Sequence, residues 1–560
     1  MRNVSSEINS KFNFTKPLGN IRLLVENLKH SQNIISVINT CNHFGVHSVH
    51  LTASSTDCFS PEILAETNCG FLSLPIEENV QLDQEWDRNG NGSDFIMGKK
   101  AKNNKLVKAG GAKRAVLMPL IKELYQMTST VDKRPNIEEV YRLAQAIEEK
   151  QSSFIPPSYN IDRVQAGNEL IDQLKSQYNC NINAEAESDD LGGVRLRLTE
   201  DCENNNTVLD IPIDACITTV NREEMTVLDA CRTDPVLGNM VNVQLALNLL
   251  FEVFENKNSK HYHYLRTLPA KPDTVVAQKL EDILPLQGSS IWMEAEPLLI
   301  AVHRQYARLY QMISNSPVPG FENLRNGFTL SAYKWAVQIV QTRQNGYPGV
   351  NHMELNDLVL IPVLDLCNHA FEPTVKITQT GEDKFKGLKL SLSPKKDDLK
   401  KGSELSLKYS PTCSSEFFIH LGFIPEEIPN DCSRLKLSLP KSGSDWRIGL
   451  LSLLPIKSPF KIGKDNVPFD LINFIRVFHM SEEVAKVKFE EMKTAERIDL
   501  SLGEEESKVF DFLLLRLRLM IANVDRCLQK CPEESLSKKL LQNERTNFTE
   551  AVEYIQTLKE

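Results

Sequence analysis

Three short segments put polar residues where a buried strand or helix should be apolar. LIPVLDLCNHAF sets Asp365, Asn368 and His369 directly behind an apolar run. LSLKYSPTCSSEFFIHLGF closes a strand pattern at Tyr409 and resumes at Gly422 and Phe423, and VQIVQTRQNG ends a helical pattern at Arg343 and Asn345. Amide, imidazole, phenol and guanidinium groups can orient a substrate through hydrogen bonds, and a guanidinium can grip a carboxylate in fork geometry. Each segment also has a structural explanation when taken alone. An Asn-His pair after a strand is usually a turn, a strand-end Tyr is usually core, and an Arg near a helix C-terminus complements the dipole. Metal chemistry is not expected. The twelve cysteines are scattered without a Cys-x-x-Cys pair, and His261 and His263 in KHYHYL have no local cysteine partner. Reduced, buried thiols in a reducing compartment are the expectation.

The elements that must position these groups lie in a chain of 560 residues, long enough for several units. Apolar residues make up 41% and charged residues 25%, which supports a full core. Lys and Arg number 64 against 74 Asp and Glu, so overall capture of nucleic acid is not expected. No run of about 18 apolar residues exists, and MRNVSSEINSKF has no apolar leader segment, so neither a membrane span nor a secretory leader is expected. A cytosolic or nuclear protein fits.

Residues 20–54 read as strand, helix, strand: NIRLLVENL, SQNIISVINTCNHFG, VHSVHLT. A polar stretch follows, then MGKKAKNNKLVKAGGAKR from Met97 to Arg114, basic without an acid and read as a solvated linker. LMPLIKELYQM and IEEVYRLAQAIEEK are helical in spacing. Strand-like runs occupy about 193–219, helical ones about 238–342, and strands return in LVLIPVLDL, VKITQT, GLKLSLS and ELSLKYS. Beyond about 440 the pattern is helical again.

Taken together and in order, GGVRLRLTED, TRQNGYP, LIPVLDLCNHAF, KYSPTCSSEFFIHLGFIPEEIPND and FIRVFHMSEE resemble the SET-domain protein methyltransferases. The resemblance covers about 97–560. It is to the branch with a helical insertion inside SET and a Rubisco-methyltransferase-type substrate-binding domain after it, and within that branch to members that methylate a histidine of actin. It implies an α+β protein: a β-rich SET fold at 181–425 with a helical insertion at about 235–342, preceded by a helical part at 116–180. An all-α substrate-binding domain at 426–560 would follow, with a polar or basic linker at 81–115 and a small α/β fragment at 1–80. That fragment, over 20–76, resembles part of a SpoU-class RNA 2'-O-methyltransferase. The arginine expected after its first helix is Asn39 and the knotted segment is absent, so it is read as non-catalytic.

The resemblance further implies S-adenosylmethionine as cofactor, held by Arg197, Val227, Leu228, Arg343, Asp365, Leu366, Cys367, Asn368, His369, Leu421, Gly422 and Phe423. Tyr409 would line the methyl channel and Asn345 would orient the acceptor, with Leu364 as the channel wall. Methyl transfer from a sulfonium is an in-line displacement, which needs alignment and exclusion of water. A neutral imidazole, with pKa ~6.5, already offers a lone pair, whereas a lysine near ~10.4 must shed about 3.4 units, or ~4.6 kcal/mol. Three departures stand out. The second glycine of a Gly-x-Gly approach is Arg195, the tryptophan expected before Asp365 is Leu364, and the glycine after Tyr409 is Ser410. A histidine methyltransferase acting on actin, a lysine methyltransferase of the same branch and a non-catalytic actin binder are the alternatives. No metal, membrane or nucleic acid is expected.

Overall fold

The structure, a computed structural model, describes residues 22–25, 48–52, 76–80 and 104–559, except 131–133, 191, 205, 220–225, 316–320, 348–356, 381–388, 396, 410, 440–445, 455, 457, 465 and 494–497. Two compact units divide after residue 102. In the first, β1 (Arg22–Val25), β2 (Ser48–Thr52) and β3 (Ile76–Val80) form a parallel sheet in that order. The helix read at SQNIISVINTCNHFG lies outside the described residues.

The second unit opens with α1 (Asn104–Ser129), α2 (Ile137–Glu148) and α3 (Arg163–Tyr178). The helix starting at Asn104 corrects the linker reading over 104–115, while 81–103 lie outside the described residues. Lys and Ala are good helix formers whatever their charge, so a basic run is no evidence of irregular chain. Side-chain caps set the next two starts. Asn136 accepts from Glu138 N and Asp162 accepts from Val164 N and Gln165 N, satisfying N–H groups a helix leaves open. Asn179, at φ 52°, ends α3 in the left-handed region.

Strands β4 (Ala184–Ser188) and β5 (Val194–Leu198) pair antiparallel, and β5 alternates strictly: Val194, Leu196 and Leu198 are buried while Arg195 and Arg197 face outward. β6 (Leu209–Pro212) and β7 (Ile217–Thr218) follow. Then come α4 (Thr226–Arg232), α5 (Val241–Glu255), α6 (Tyr262–Thr267), α7 (Ser290–Asn315) and α8 (Leu330–Arg343). The return strands are β8 (Asn345–Tyr347), β9 (Asp357–Leu360), β10 (Asn368–His369), β11 (Val375–Thr380), β12 (Lys389–Pro394) and β13 (Glu404–Leu407). Small sheets result, ordered β10-β13-β5-β4, β11-β12-β6 and β7-β9-β8. Each therefore joins strands from before and after the helical insertion. One continuous core runs from Leu117 on α1 through the insertion.

The C-terminal region contains α9 (Trp446–Leu453), α10 (Phe469–His479), α11 (Glu482–Met492), α12 (Ser507–Leu528) and α13 (Leu536–Lys559), with α10, α12 and α13 around a core of Leu435, Phe460, Leu471, Leu513 and Phe548 and α9 and α11 around a smaller one of Leu450, Val477 and Ala485. It is not all-α, because β14 (Cys432–Leu435) and β15 (Phe460–Gly463) form an antiparallel ribbon within it. The thiol expectation also fails at one pair, since Cys413 and Cys432 are joined in a disulfide. Among the described residues, Cys202, Cys231, Cys367 and Cys527 are buried free thiols. No helix among the described residues is long and apolar enough to cross a membrane.

Candidate active site

Parallel pairing of two very short strands brings the first two motifs together. Asn368 lies opposite Ser406 and His369 opposite Leu407, and Ala370 N donates to Leu407 O at 2.9 Å. Residues 365–369 therefore run beside 407–409. The third motif arrives from the insertion: Arg343 is the last residue of α8, and Asn345 opens β8 opposite Val359. LVLIPVLDL is not one strand, as its apolar run suggested. β9 stops at Leu360, and the chain then turns at Pro362 and Val363. Val363 has φ 65° and ψ −48°, and Leu364 N bonds Pro362 O at 2.7 Å, a γ-turn in the left-handed half of backbone space. A β-branched residue held there costs about 1–3 kcal/mol, and complete burial of Val363 keeps it in place.

Behind this turn opens a cleft of about 410 Å³ whose lining includes Arg343, Asn345, Leu364, Asp365, Cys367 and Tyr409. Asp365 Oδ2 accepts from Tyr264 Oη on α6 at 2.7 Å and lies 3.6 Å from Arg343 Nε. Its other oxygen, Oδ1, is buried without a partner among the described residues. Burial raises the Asp365 pKa, opposed by Arg343 and Tyr264. Asn345 Nδ2 donates to Arg343 O at 3.1 Å, so its amide orientation is set and Oδ1 is left as the acceptor.

Tyr409 is fixed twice. Its Oη donates to Cys367 O at 2.6 Å, and its N–H donates to His369 Nδ1 at 3.0 Å. Burial pushes its phenol up to about 12, so at neutral pH the group is a hydrogen-bond donor and not a base. Because His369 accepts at Nδ1, the neutral ring carries its hydrogen on Nε2, which is buried without a bond among the described residues. Burial and Lys408 lower the basicity of this ring.

The rim of the cleft joins the insertion to the C-terminal ribbon. Glu416 Oε1 meets Lys461 Nζ at 2.7 Å and Arg434, while Oε2 accepts from Thr412 N at 2.8 Å. Burial resists ionisation of Glu416, but Lys461, the Thr412 N–H and Arg434 prevail and hold it near about 2. His420 bridges Gln341 and Glu294 beside them. Gly422 follows at φ 81°, and a Cβ there would lie 2.5 Å from the Asp273 carbonyl carbon. That close backbone approach explains the glycine.

Seven of the fifteen residues expected to carry function line this cleft: Arg343, Asn345, Leu364, Asp365, Cys367, Tyr409 and Leu421. Leu364 and Leu421 line the cleft, Leu366 is buried behind it, and Asn368 Nδ2 approaches Asp189 at 3.4 Å. Phe423 stands 39% exposed with its ring against Phe417, leaving an aromatic face open. Leu228 is fully buried on α4, the helix that also contains Val227. Arg197 does not reach the cleft: Nε lies 2.6 Å from Glu187, and Nη1 donates to Gly402 O at 2.8 Å. Strand alternation turns it to the outer face of β5, a direction already legible in VRLRL. Tyr264 was missed because it lies in KHYHYL, where the histidines drew attention. Lys461 was missed because its strand is about fifty residues from the motifs.

The second unit has the SET fold. It superposes on the SET domain of LSMT bound to lysine and AdoHcy with TM-score 0.52 and 16% identity, covering 70% of this chain and 91% of that one. Rubisco LSMT bound to AdoMet gives TM-score 0.51 over the same shares. In sequence, the chain is similar to the actin-histidine N-methyltransferases of Danio rerio (28% identical, 79% of this chain and 78% of that protein) and Xenopus tropicalis (27%, 76% and 75%). The protein of that name from Papio anubis is 29% identical over 57% of this chain and 53% of its own length. No family model matches the chain.

Proposed function

We propose that this chain is a protein methyltransferase that uses S-adenosylmethionine and acts on a ring nitrogen of a histidine in actin. One observation carries the reading: a single cleft gathers Arg343, Asp365, Tyr409 and Asn345 from three separated segments. The residues fit the amino-acid end of the donor. Arg343 suits a carboxylate, and the unpartnered, buried Oδ1 of Asp365 suits an ammonium. The exposed face of Phe423 suits a flat base. When bound, S-adenosylmethionine supplies an electrophilic methyl group on a sulfonium.

The chain's own residues then orient the acceptor and exclude water. Asn345 Oδ1 accepts the N–H of one imidazole nitrogen, leaving the lone pair of the other for bond formation. Tyr409 holds the Cys367 carbonyl in a fixed direction, and Leu364 closes the wall with an apolar surface. No general base is required before transfer, because the acceptor nitrogen is already neutral near pH 7. The names of the sequence relatives support actin as the substrate.

Lysine is the second reading, favoured by Leu364, whose aliphatic wall also suits a methylene chain. The test is mass spectrometry of actin incubated with purified chain and labelled donor, with rates taken across pH. Methylhistidine and a rate level above about pH 7 are expected. Methyllysine with a rate climbing steeply with pH would replace the histidine assignment, and absence of donor binding would remove the enzymatic reading.

A further inference from the structure

The walls of the cleft carry ionised groups of both signs, and all but one of them have a partner. Arg343 lies 3.6 Å from Asp365, and Lys461 lies 2.7 Å from Glu416. His420 bonds Gln341 and Glu294. Lys408 is the remaining cation of the lining, and it makes neither an ion pair nor a hydrogen bond among the described residues. An exposed lysine without a partner is ordinary on a protein surface. The place of this one gives it a use.

Lys408 directly precedes Tyr409, and Leu407 before it also lines the cleft. Ile377 on β11 lines the same wall and stands 39% exposed. Two bonds between Thr374 and Ser406 tie the start of β11 to β13, at 3.1 and 2.9 Å, which sets these residues side by side. Next to Tyr409 the wall therefore presents one ammonium and two aliphatic side chains. A peptide acceptor seated between Tyr409 and Asn345 has its neighbours about 3.3–3.6 Å per residue along an extended chain. That is the same single step that separates Lys408 from Tyr409. The field of Lys408 also reaches into the site, where it helps to lower the basicity of His369. Since the whole chain carries a formal charge of -10, its long-range field disfavours an acidic segment, and only a local cation can welcome one.

We propose that Lys408 reads the charge of the substrate residue beside the acceptor, selecting a carboxylate side chain over a neutral or basic one, with Ile377 and Leu407 packing its methylenes. The assignment rests on the histidine-acceptor reading given above. An ion pair at a solvent-accessible rim contributes about two- to fivefold, and a like charge removes a similar factor.

The test is kcat/KM of the full chain on histidine peptides that differ only in Glu, Gln or Lys immediately before or immediately after the acceptor. At one of the two positions Glu should exceed Gln about two- to fivefold and Lys about 5- to 20-fold at low salt. The preference should fade in ~1 M salt, where charges are screened beyond about 3 Å. Lys408→Glu should reverse the order in favour of the Lys peptide, and Lys408→Gln should level it. Lys408 is exposed, so neither variant disturbs the core, and S-adenosylhomocysteine affinity by calorimetry should stay within about twofold in both. An order unchanged in Lys408→Glu, or wild-type rates indifferent to charge at both positions, would overturn the assignment while leaving the histidine reading intact. Absence of methylhistidine from every peptide would overturn both.

Discussion

Removing the Tyr409 hydroxyl isolates one bond in the cleft. In Tyr409→Phe the ring keeps its packing on His369, at 5.2 Å between centroids, and the backbone N–H still reaches His369 Nδ1. What disappears is the 2.6 Å bond to Cys367 O, in a segment where Cys367 is buried. A buried carbonyl left without its donor costs about 1–3 kcal/mol. If that carbonyl helps align donor and acceptor, the cost falls on the aligned state, and turnover drops ~5- to ~150-fold. Arg343 and Asp365 make their contacts independently of the hydroxyl, so donor affinity should change by less than about threefold. Single-turnover transfer of labelled methyl to a histidine peptide gives the rate, and calorimetry gives the affinity. Equal losses in both, or a full rate without the hydroxyl, would refute the alignment argument.

Asn345→Ala removes the acceptor that selects the imidazole tautomer, so histidine transfer should fall ~10-fold or more while transfer to a lysine peptide changes less. An unaltered ratio of the two rates, measured on paired peptides, would count against tautomer control. A different kind of test concerns stability. Glu544 on α13 accepts from Ser290 N at the start of α7, at 2.8 Å, and burial pushes its carboxyl up to about 7. The folded chain then holds a proton that the unfolded chain releases near its ordinary value of 4.5. Stability from this group is therefore full below about pH 4.5 and is lost as pH rises through about 7, a change of order 3 kcal/mol. Glu544→Gln should flatten the melting temperature between pH 5 and 8, and curves that stay parallel to wild type in that range would contradict this.

Much of the site was readable because it depends on local chain order. The strand VRLRL follows from period-two burial that the segment carries in itself, whereas ELSL buries its neighbours Leu405 and Ser406 together. The order of the motifs around Arg343, Asp365 and Tyr409 pointed to the SET fold for the same reason. Other features depend on which distant surfaces meet, and local pattern is silent about that. Cys413 and Cys432 are bonded across 19 positions because the ribbon folds back on the cleft rim, and Lys461 reaches Glu416 by the same route. The turn at Val363 contradicts its own residue type and survives only because surrounding burial holds it. Arg197 and Arg343 are chemically alike, yet Glu187 occupies one on the outer face of β5 while the end of α8 brings the other within 3.6 Å of Asp365. Residue order alone determined the class of fold and the groups available for chemistry. Only long-range packing decided which of two like charges faces the cleft, because burial and partners depend on the assembled neighbours and not on sequence distance.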